Sequence, residues 1–346
     1  MSSRPQAEGR KPVLALAVGD PAGVGPELAA KALADPDVRA AADLIVVGDR
    51  RVLARGAEVA GAGPLDVATI GATGELRDRP GTVLLDLGHL DPDSIEVGVA
   101  SEAGGAFALR NFRTCMELAA AGRAGAVCFT PFNKAAMRMA HPSYDDEIGY
   151  GREVLGGSGP ASEFNILDKL WNARVTSHVP LSAVAGLITE EAVLKGVRLT
   201  DASLREAGLK RPRIAVAGLN PHAGDGGNFG REEIEVIGPA VEWAKGEGID
   251  ADGPYPPDTV FLRASKGAFD AVLTMYHDQG QIAMKLLGFD RGVTLLGGFP
   301  FPICTPAHGS AYDIAGKGVA NPGATRAALL LAARMAARQA EPARAA

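Results

Sequence analysis

Short apolar runs, nearly all closing on or beside glycine, proline, aspartate or histidine, set the limits on what this chain can fold into. They are VLALAVGD (13–20), DLIVVGD (43–49), TVLLDLG (82–88), AGAVCFTP (124–131), RVTSHVPL (174–181), RIAVAGLNP (213–221), AVLTMYHDQG (271–280) and GVTLLGG (292–298). Between them lie segments such as GGAFALRNFRTCMELAAAG (104–122) and EEAVLKGVRLTDASLREAG (190–208), apolar at helical spacing. Strand–helix alternation of this kind predicts an α/β protein with mostly parallel sheets and helices on both faces.

At 346 residues the chain is too long for one ordinary core and suits two domains. A formal net charge of −6 and the lack of any long Lys/Arg cluster argue against a nucleic-acid surface. No apolar stretch is long enough to cross a membrane. Three widely spaced cysteines, Cys115, Cys128 and Cys304, read as buried thiols of a reducing compartment. Residues 1–11 (MSSRPQAEGRK) are polar with no apolar run behind them, a disordered tail and not a signal peptide. A cytoplasmic protein is expected, with a domain boundary near TPFNK (130–134).

In open α/β sheets, ligands gather beyond the carboxyl ends of the strands. His178, His222 and His277 each fall at or just past the end of a strand-like run. Any one alone is as readily a hydrogen-bonded strand-end residue. Three at equivalent positions tip the balance toward a divalent metal, because imidazole is the commonest ligand for such ions. Asp258 and Asp278 could orient the histidines or relay a proton. His89 and His141 lie in loops and are expected to be solvated. A metal there would lower the pKa of a substrate hydroxyl and stabilise the alkoxide from which hydride leaves.

No GxGxxG is present to receive that hydride on a nucleotide. The stretch TPAHGSAYDIAGKGVANP (305–322) instead offers Gly309, Gly316 and Gly318 for close backbone approach, with Ser310 and Asp313 as hydroxyl-binding groups. Spacing alone leaves a tight connection before the last helix equally open. The stretch resembles the adenosine-binding loop of isopropylmalate and isocitrate dehydrogenases. That resemblance places His308, Gly309, Ser310, Ala311, Ile314 and Asn321 around an adenine, and Asp313 on the ribose hydroxyls. An acid there disfavours a 2′-phosphate and implies NAD.

GDPAGVGPE (19–27), TPFNK, SHVPL, GLNPHAGDGGNFGREE (218–233), PPDTVF and YHDQGQIAMK (276–285) follow one another as in the 4-hydroxythreonine-4-phosphate dehydrogenase family, over nearly all of 12–335. The resemblance implies a two-domain fold like that of isocitrate and isopropylmalate dehydrogenases, with the active site in the interdomain cleft. It further implies an NAD-binding domain of 12–133 plus 288–340, and a metal, substrate and dimerisation domain of 134–287. A homodimer would share the active site, with a divalent metal (Zn, Mg, Mn or Co) on His178, His222 and His277 drawn from both subunits. Family members oxidise a secondary alcohol with NAD, and the β-keto acid formed loses CO₂.

Some family positions differ here. The GHTE motif becomes YDDE (144–147), putting Asp145 and Asp146 in substrate-contacting places. The phosphate-contacting Lys, Asn and Arg fall on Lys285, Thr294 and Ile303. Loss of the arginine predicts a non-phosphorylated hydroxy acid, such as a cis-dihydrodiol carboxylate of the terephthalate dihydrodiol kind. The alternative is 4-hydroxythreonine 4-phosphate itself, in pyridoxal phosphate biosynthesis.

Overall fold

The computed structural model describes residues 11–78 and 81–340; apart from Lys11, the expected N-terminal tail lies outside the described residues. The chain divides into two compact units, one of residues up to 158 with those from 299 onward, the other of 159–298.

The first unit begins with strands β1 (Val13–Ala17), β2 (Asp43–Gly48), β3 (Ala68–Ile70), β4 (Val83–Asp86) and β5 (Ala126–Phe129). Helices α1 (Gly25–Ala34), α2 (Pro36–Ala41), α3 (Arg50–Ala60), α4 (Glu102–Ala120), α5 (Lys134–Ala140) and α6 (Glu147–Leu155) connect and follow them. The second unit contributes β6 (Ser162–Leu167), β7 (Leu170–Arg174), β8 (Arg213–Ala217), β9 (Asp250–Tyr255), β10 (Ala271–Thr274) and β11 (Val293–Gly297). Its helices are α7 (Leu181–Leu187), α8 (Glu190–Glu206), α9 (Gly238–Gly246), α10 (Pro257–Ser265) and α11 (His277–Gly288). The chain then returns to the first unit with β12 (Ile303–Pro306) and α12 (Gly323–Ala340).

Strand order in the first unit is β3-β4-β2-β1-β5-β12, every pair parallel. In the second it is β11-β6-β7-β10-β8-β9, parallel from β7 to β9 and antiparallel at β11/β6 and β6/β7. The apolar runs of the sequence supply the buried strands: Leu14, Ala15, Leu16 and Ala17 of β1 and Ala271, Val272 and Leu273 of β10 are fully buried. Such strands are covered on both faces, as parallel strands are.

The sequence places the domain turn at 134 and the return at 288, whereas the units divide at 159 and 299. The difference comes from α5 and α6, which pack against α4 and so stay with the first unit, and from β11, which pairs with β6 and so stays with the second. The expected strand over RVTSHVPL is displaced as well. The strand is LWNAR, and it ends at Arg174. It forms a hairpin with β6 through Asp168 and Lys169, with Asp168 at φ +53°. Hairpin turns of two residues favour Asn-Gly or Asp-Gly, so Asp-Lys gives no comparable signal.

The three cysteines are buried and free, and burial pushes their thiols up, Cys304 to about 12. Among the described residues, no helix is long and apolar enough to cross a membrane. Of the two loop histidines expected to be solvated, His141 is partly exposed, whereas His89 has both ring nitrogens buried. His141 bonds Glu153 at 2.9 Å. His89 stacks on Phe107, with centroids 4.8 Å apart and planes 13° from parallel.

Burial, aided by nearby Arg110, lowers the pKa of His89 below its ordinary 6.5. Below about pH 6.5 the unfolded chain therefore binds a proton that the folded chain resists, and stability falls as pH drops through that range. Replacing His89 with Phe should flatten the loss of thermal midpoint between pH 7.5 and 5.5. Equal acid sensitivity in both proteins would show that His89 does not contribute to it.

Candidate active site

His178, His222 and His277 follow β7, β8 and β10, which are neighbours in the parallel order β7-β10-β8. Hydrogen bonds between the strand ends fix the three connections. Thr176 donates its hydroxyl to the Met275 carbonyl at 2.8 Å, joining the His178 segment to the His277 segment. Buried Arg174 pairs with Glu163, bonds Asn165 at 2.7 Å and gives its Nε–H to Ser177 at 3.0 Å, one residue before His178. Gln279 accepts from Met275 N–H at 2.7 Å and donates to the Gly218 carbonyl at 2.8 Å, tying the end of β10 to that of β8.

Two of the histidines are held against backbone preference. His178 has φ +51° and His222 has φ +55°. Residues 222–226 are all left-handed, so His222, Ala223 and Asp225 each adopt a conformation normally reserved for glycine. Each such residue costs roughly 1–2 kcal/mol, and strain of this kind persists where surrounding contacts enforce it.

The rings of His178 and His277 approach to 5.6 Å between centroids. His277 Nδ1 bonds the Asp278 carboxylate at 2.7 Å, leaving Nε2 as the ring's lone-pair donor. This donor set suits a divalent ion. His222 is not part of the pair: it is exposed in its own loop, 6.2 Å from the Phe229 ring. Among the described residues, no group of three His, Cys, Asp or Glu side chains of a single chain comes together as a metal cage. One chain therefore presents two nitrogens together and a third apart.

A pocket of about 530 Å³ opens at the pair, lined by Thr176, Ser177, His178, Tyr276, His277 and Asp278 among others. Asp258 lies in the first turn of α10, exposed, on a helix that packs against the His222 loop. Lys285 is exposed on α11, two turns beyond His277. Gln281, between them, bonds Asn165 at 2.6 Å, and Asn165 donates to the Thr294 hydroxyl at 3.4 Å.

The glycine loop belongs to the first unit, between β12 and α12. Its support is the turn before α1 and the start of that helix. Ser310 accepts from Val24 N–H at 3.0 Å, and Asn133 donates to its hydroxyl at 3.3 Å. Tyr312 donates to buried Asp20 at 2.6 Å; burial raises the pKa of Asp20 despite that bond. Glu27 accepts from Ala320 N–H at 2.9 Å, while Lys31 reaches the carbonyls of Gly318 and Ala320. Ala311 and Ile314 pack on Val24, Leu28 and Ala320, and Asn321 accepts from Gly323 N–H at the start of α12. A Cβ on Gly318 would come within 2.5 Å of the Val59 carbonyl oxygen, so the loop can pass only as glycine. His308, Gly309 and Asp313 are left at the surface, where a ligand can reach them. GDPAGVGPE is thus both a helix start and the floor of this loop.

Four polar positions carry roles the sequence did not show. Asp146 caps α6, accepting from Gly149 N–H at 2.7 Å, and the exposed Asp145 offers its carbonyl to Arg138 at 3.2 Å. Lys134 pairs with Glu147 at 3.4 Å. Glu233, unremarked in GREE, is buried and bonds three groups of the segment leading to His222.

Ligating and acidic side chains beyond the carboxyl ends of parallel strands are the arrangement of an α/β enzyme. Comparison with known proteins says which kind. The family described as "Pyridoxal phosphate biosynthetic protein PdxA" matches residues 40–332. A protein of Rhizobium meliloti strain 1021, provisionally named 4-hydroxythreonine-4-phosphate dehydrogenase 2, is 61% identical over 94% of both chains. The D-threonate 4-phosphate dehydrogenase of Pectobacterium atrosepticum is 35% identical over 94% of this chain and 99% of its own. The crystal structure of 4-hydroxythreonine-4-phosphate dehydrogenase from Klebsiella pneumoniae superposes with TM-score 0.81 at 33% identity, covering 95% of this chain and 99% of the other. The chain belongs to the PdxA family and is an oxidoreductase, a dehydrogenase acting on a CH–OH group.

The names of these relatives correct the expectation of a non-phosphorylated substrate, since each specifies a 4-phosphorylated acid. The physical error is visible at Ile303. That residue is fully buried on β12, paired with Val127, in the core and not at a surface where a phosphate could meet it. An isoleucine there says nothing about a phosphate site.

Proposed function

We propose that the chain oxidises the secondary alcohol at C3 of a 4-phosphorylated hydroxy acid, 4-hydroxythreonine 4-phosphate or D-threonate 4-phosphate, with NAD as acceptor. The observation that carries this reading is 61% identity along 94% of a relative named for such a substrate. Both acids have a carboxylate at C1, the alcohol at C3 and phosphate at C4. Hydride passes from C3 to NAD and the hydroxyl proton to a base. The product is a β-keto acid, which loses CO₂ as the C1–C2 electron pair moves into an enolate that is then protonated.

His178 and His277 are the side chains that would hold a divalent ion (Zn, Mg, Mn or Co), with His222 of a second copy as third donor. Such an ion would supply Lewis acidity at the alcohol and its neighbouring oxygen. Asp278 fixes the His277 tautomer, and Asp258 takes the hydroxyl proton. Lys285 and Thr294 receive the phosphate. The loop from His308 to Asn321 receives the adenosine, and the exposed Asp313 carboxylate favours NAD over NADP. A homodimer agrees with exposed apolar side chains near the histidines: Leu181 at 71%, Phe229 at 53% and Ile234 at 49%.

The test is NAD reduction by metal-loaded enzyme on both acids and on their dephosphorylated forms. Two charge-assisted bonds to phosphate, roughly 1.5–3 kcal/mol each, predict a kcat/KM at least about a hundredfold higher with phosphate. Equal rates without phosphate would sink the reading.

A further inference from the structure

We propose that Glu233 is a positioning residue for His222, holding the left-handed loop in the one shape that presents the imidazole outward. The inference rests on the proposed metal site.

Glu233 is 4% exposed. One carboxylate oxygen accepts from the N–H groups of Leu219 and Asn220, both at 2.7 Å, and the other from Asn220 Nδ2 at 3.0 Å. Asn220 Nδ2 also donates to Glu232 at 2.8 Å. All these donors lie within three residues before His222, at the point where the chain leaves β8 and turns left-handed. Glu233 itself opens a π-helical turn, Glu233–Ile237, where the helix widens. Such bulges recur at functional sites.

The arrangement answers a specific difficulty. Five successive left-handed residues, three of them not glycine, would not survive in a loop free to relax. A buried carboxylate is suited to hold it, because an ionised acceptor binds several N–H groups at once and is costly to leave unmatched. Glu233 never touches substrate or nucleotide in this account. It acts through the backbone, in the way residues behind a metal ligand set the ligand's direction.

Co(II) titration of the whole chain, followed by its visible ligand-field bands, tests this. NAD affinity is measured in parallel as a check on the other unit. Glu233→Ala should weaken Co(II) binding by about 10–100-fold and alter the bands, with NAD affinity unchanged. Glu233→Gln keeps one carbonyl oxygen for the Leu219 and Asn220 N–H groups and should recover part of the affinity, which also covers the case that the alanine variant does not fold. Native Co(II) affinity and bands in both variants would overturn the inference while leaving the metal reading intact. If the unaltered protein binds no stoichiometric Co(II), or His222→Ala binds it normally, the metal reading fails and this inference with it.

Discussion

His277→Ala is expected to lower kcat by roughly a thousandfold or more while leaving NAD affinity and the circular dichroism spectrum unchanged. His277 is one of the two imidazoles that meet within a chain, 5.6 Å from His178 between ring centroids. It is also the one whose free nitrogen is fixed in advance, since Nδ1 lies 2.7 Å from the Asp278 carboxylate oxygen, which can only accept. Lewis-acid stabilisation of a developing alkoxide is worth several kcal/mol, and each 1.36 kcal/mol is a factor of ten, so a loss of about three decades follows. Asp278→Ala removes only the orienting bond and should cost about 10–100-fold. That gradient separates a ligand role from a structural one: a merely packed histidine would lower stability more than turnover. Retention of a tenth of native kcat by His277→Ala would exclude it from the reacting centre. The half-exposed ring makes global unfolding a poor explanation for any loss.

What the sequence revealed, and what it hid, follows from the range of the interactions involved. Parallel strands buried on both faces leave continuous apolar runs, so β1, β2, β5, β8 and β10 could be read directly, and with them the strand ends that carry His222 and His277. The short edge strand β3, the hairpin over Asp168 and the partly exposed β9 leave no such mark. β3 has only 3 residues, β9 reads DADGPY with glycine and proline inside it, and the turn at Asp168 and Lys169 lacks glycine. Asp146 shows that an acid before a helix is ambiguous in sequence: whatever else it meets, its carboxylate caps α6. Ile303 misled for a related reason. Aligning a motif gives an order of residues but not their burial, and all of β12 from Ile303 to Pro306 is buried. Glu233 was hidden among the charges of GREE, where only burial distinguishes it from a solvated acid.

Gly105→Ala should destabilise the protein by about 2–3 kcal/mol and weaken the proposed NAD binding, although local propensity alone predicts a more stable helix. Alanine is favoured over glycine inside a helix by roughly 0.5–1 kcal/mol, and Gly105 is four residues into α4. Against that, a Cβ at this position would lie 1.9 Å from the Ala136 carbonyl oxygen and 2.4 Å from its carbon. Those are backbone atoms of α5 and cannot swing aside as a side chain would. Overpacking of this kind costs about 1–3 kcal/mol, and here the relief requires a whole helix to move. The displacement would reach the glycine loop, because Asn133 both caps α5 at Ala136 N–H and donates to the Ser310 hydroxyl. Urea denaturation and NAD titration read the two consequences separately. A variant as stable as the native protein would mean that α5 is held loosely against α4. A destabilised variant with native NAD affinity would cut the link from helix packing to Ser310.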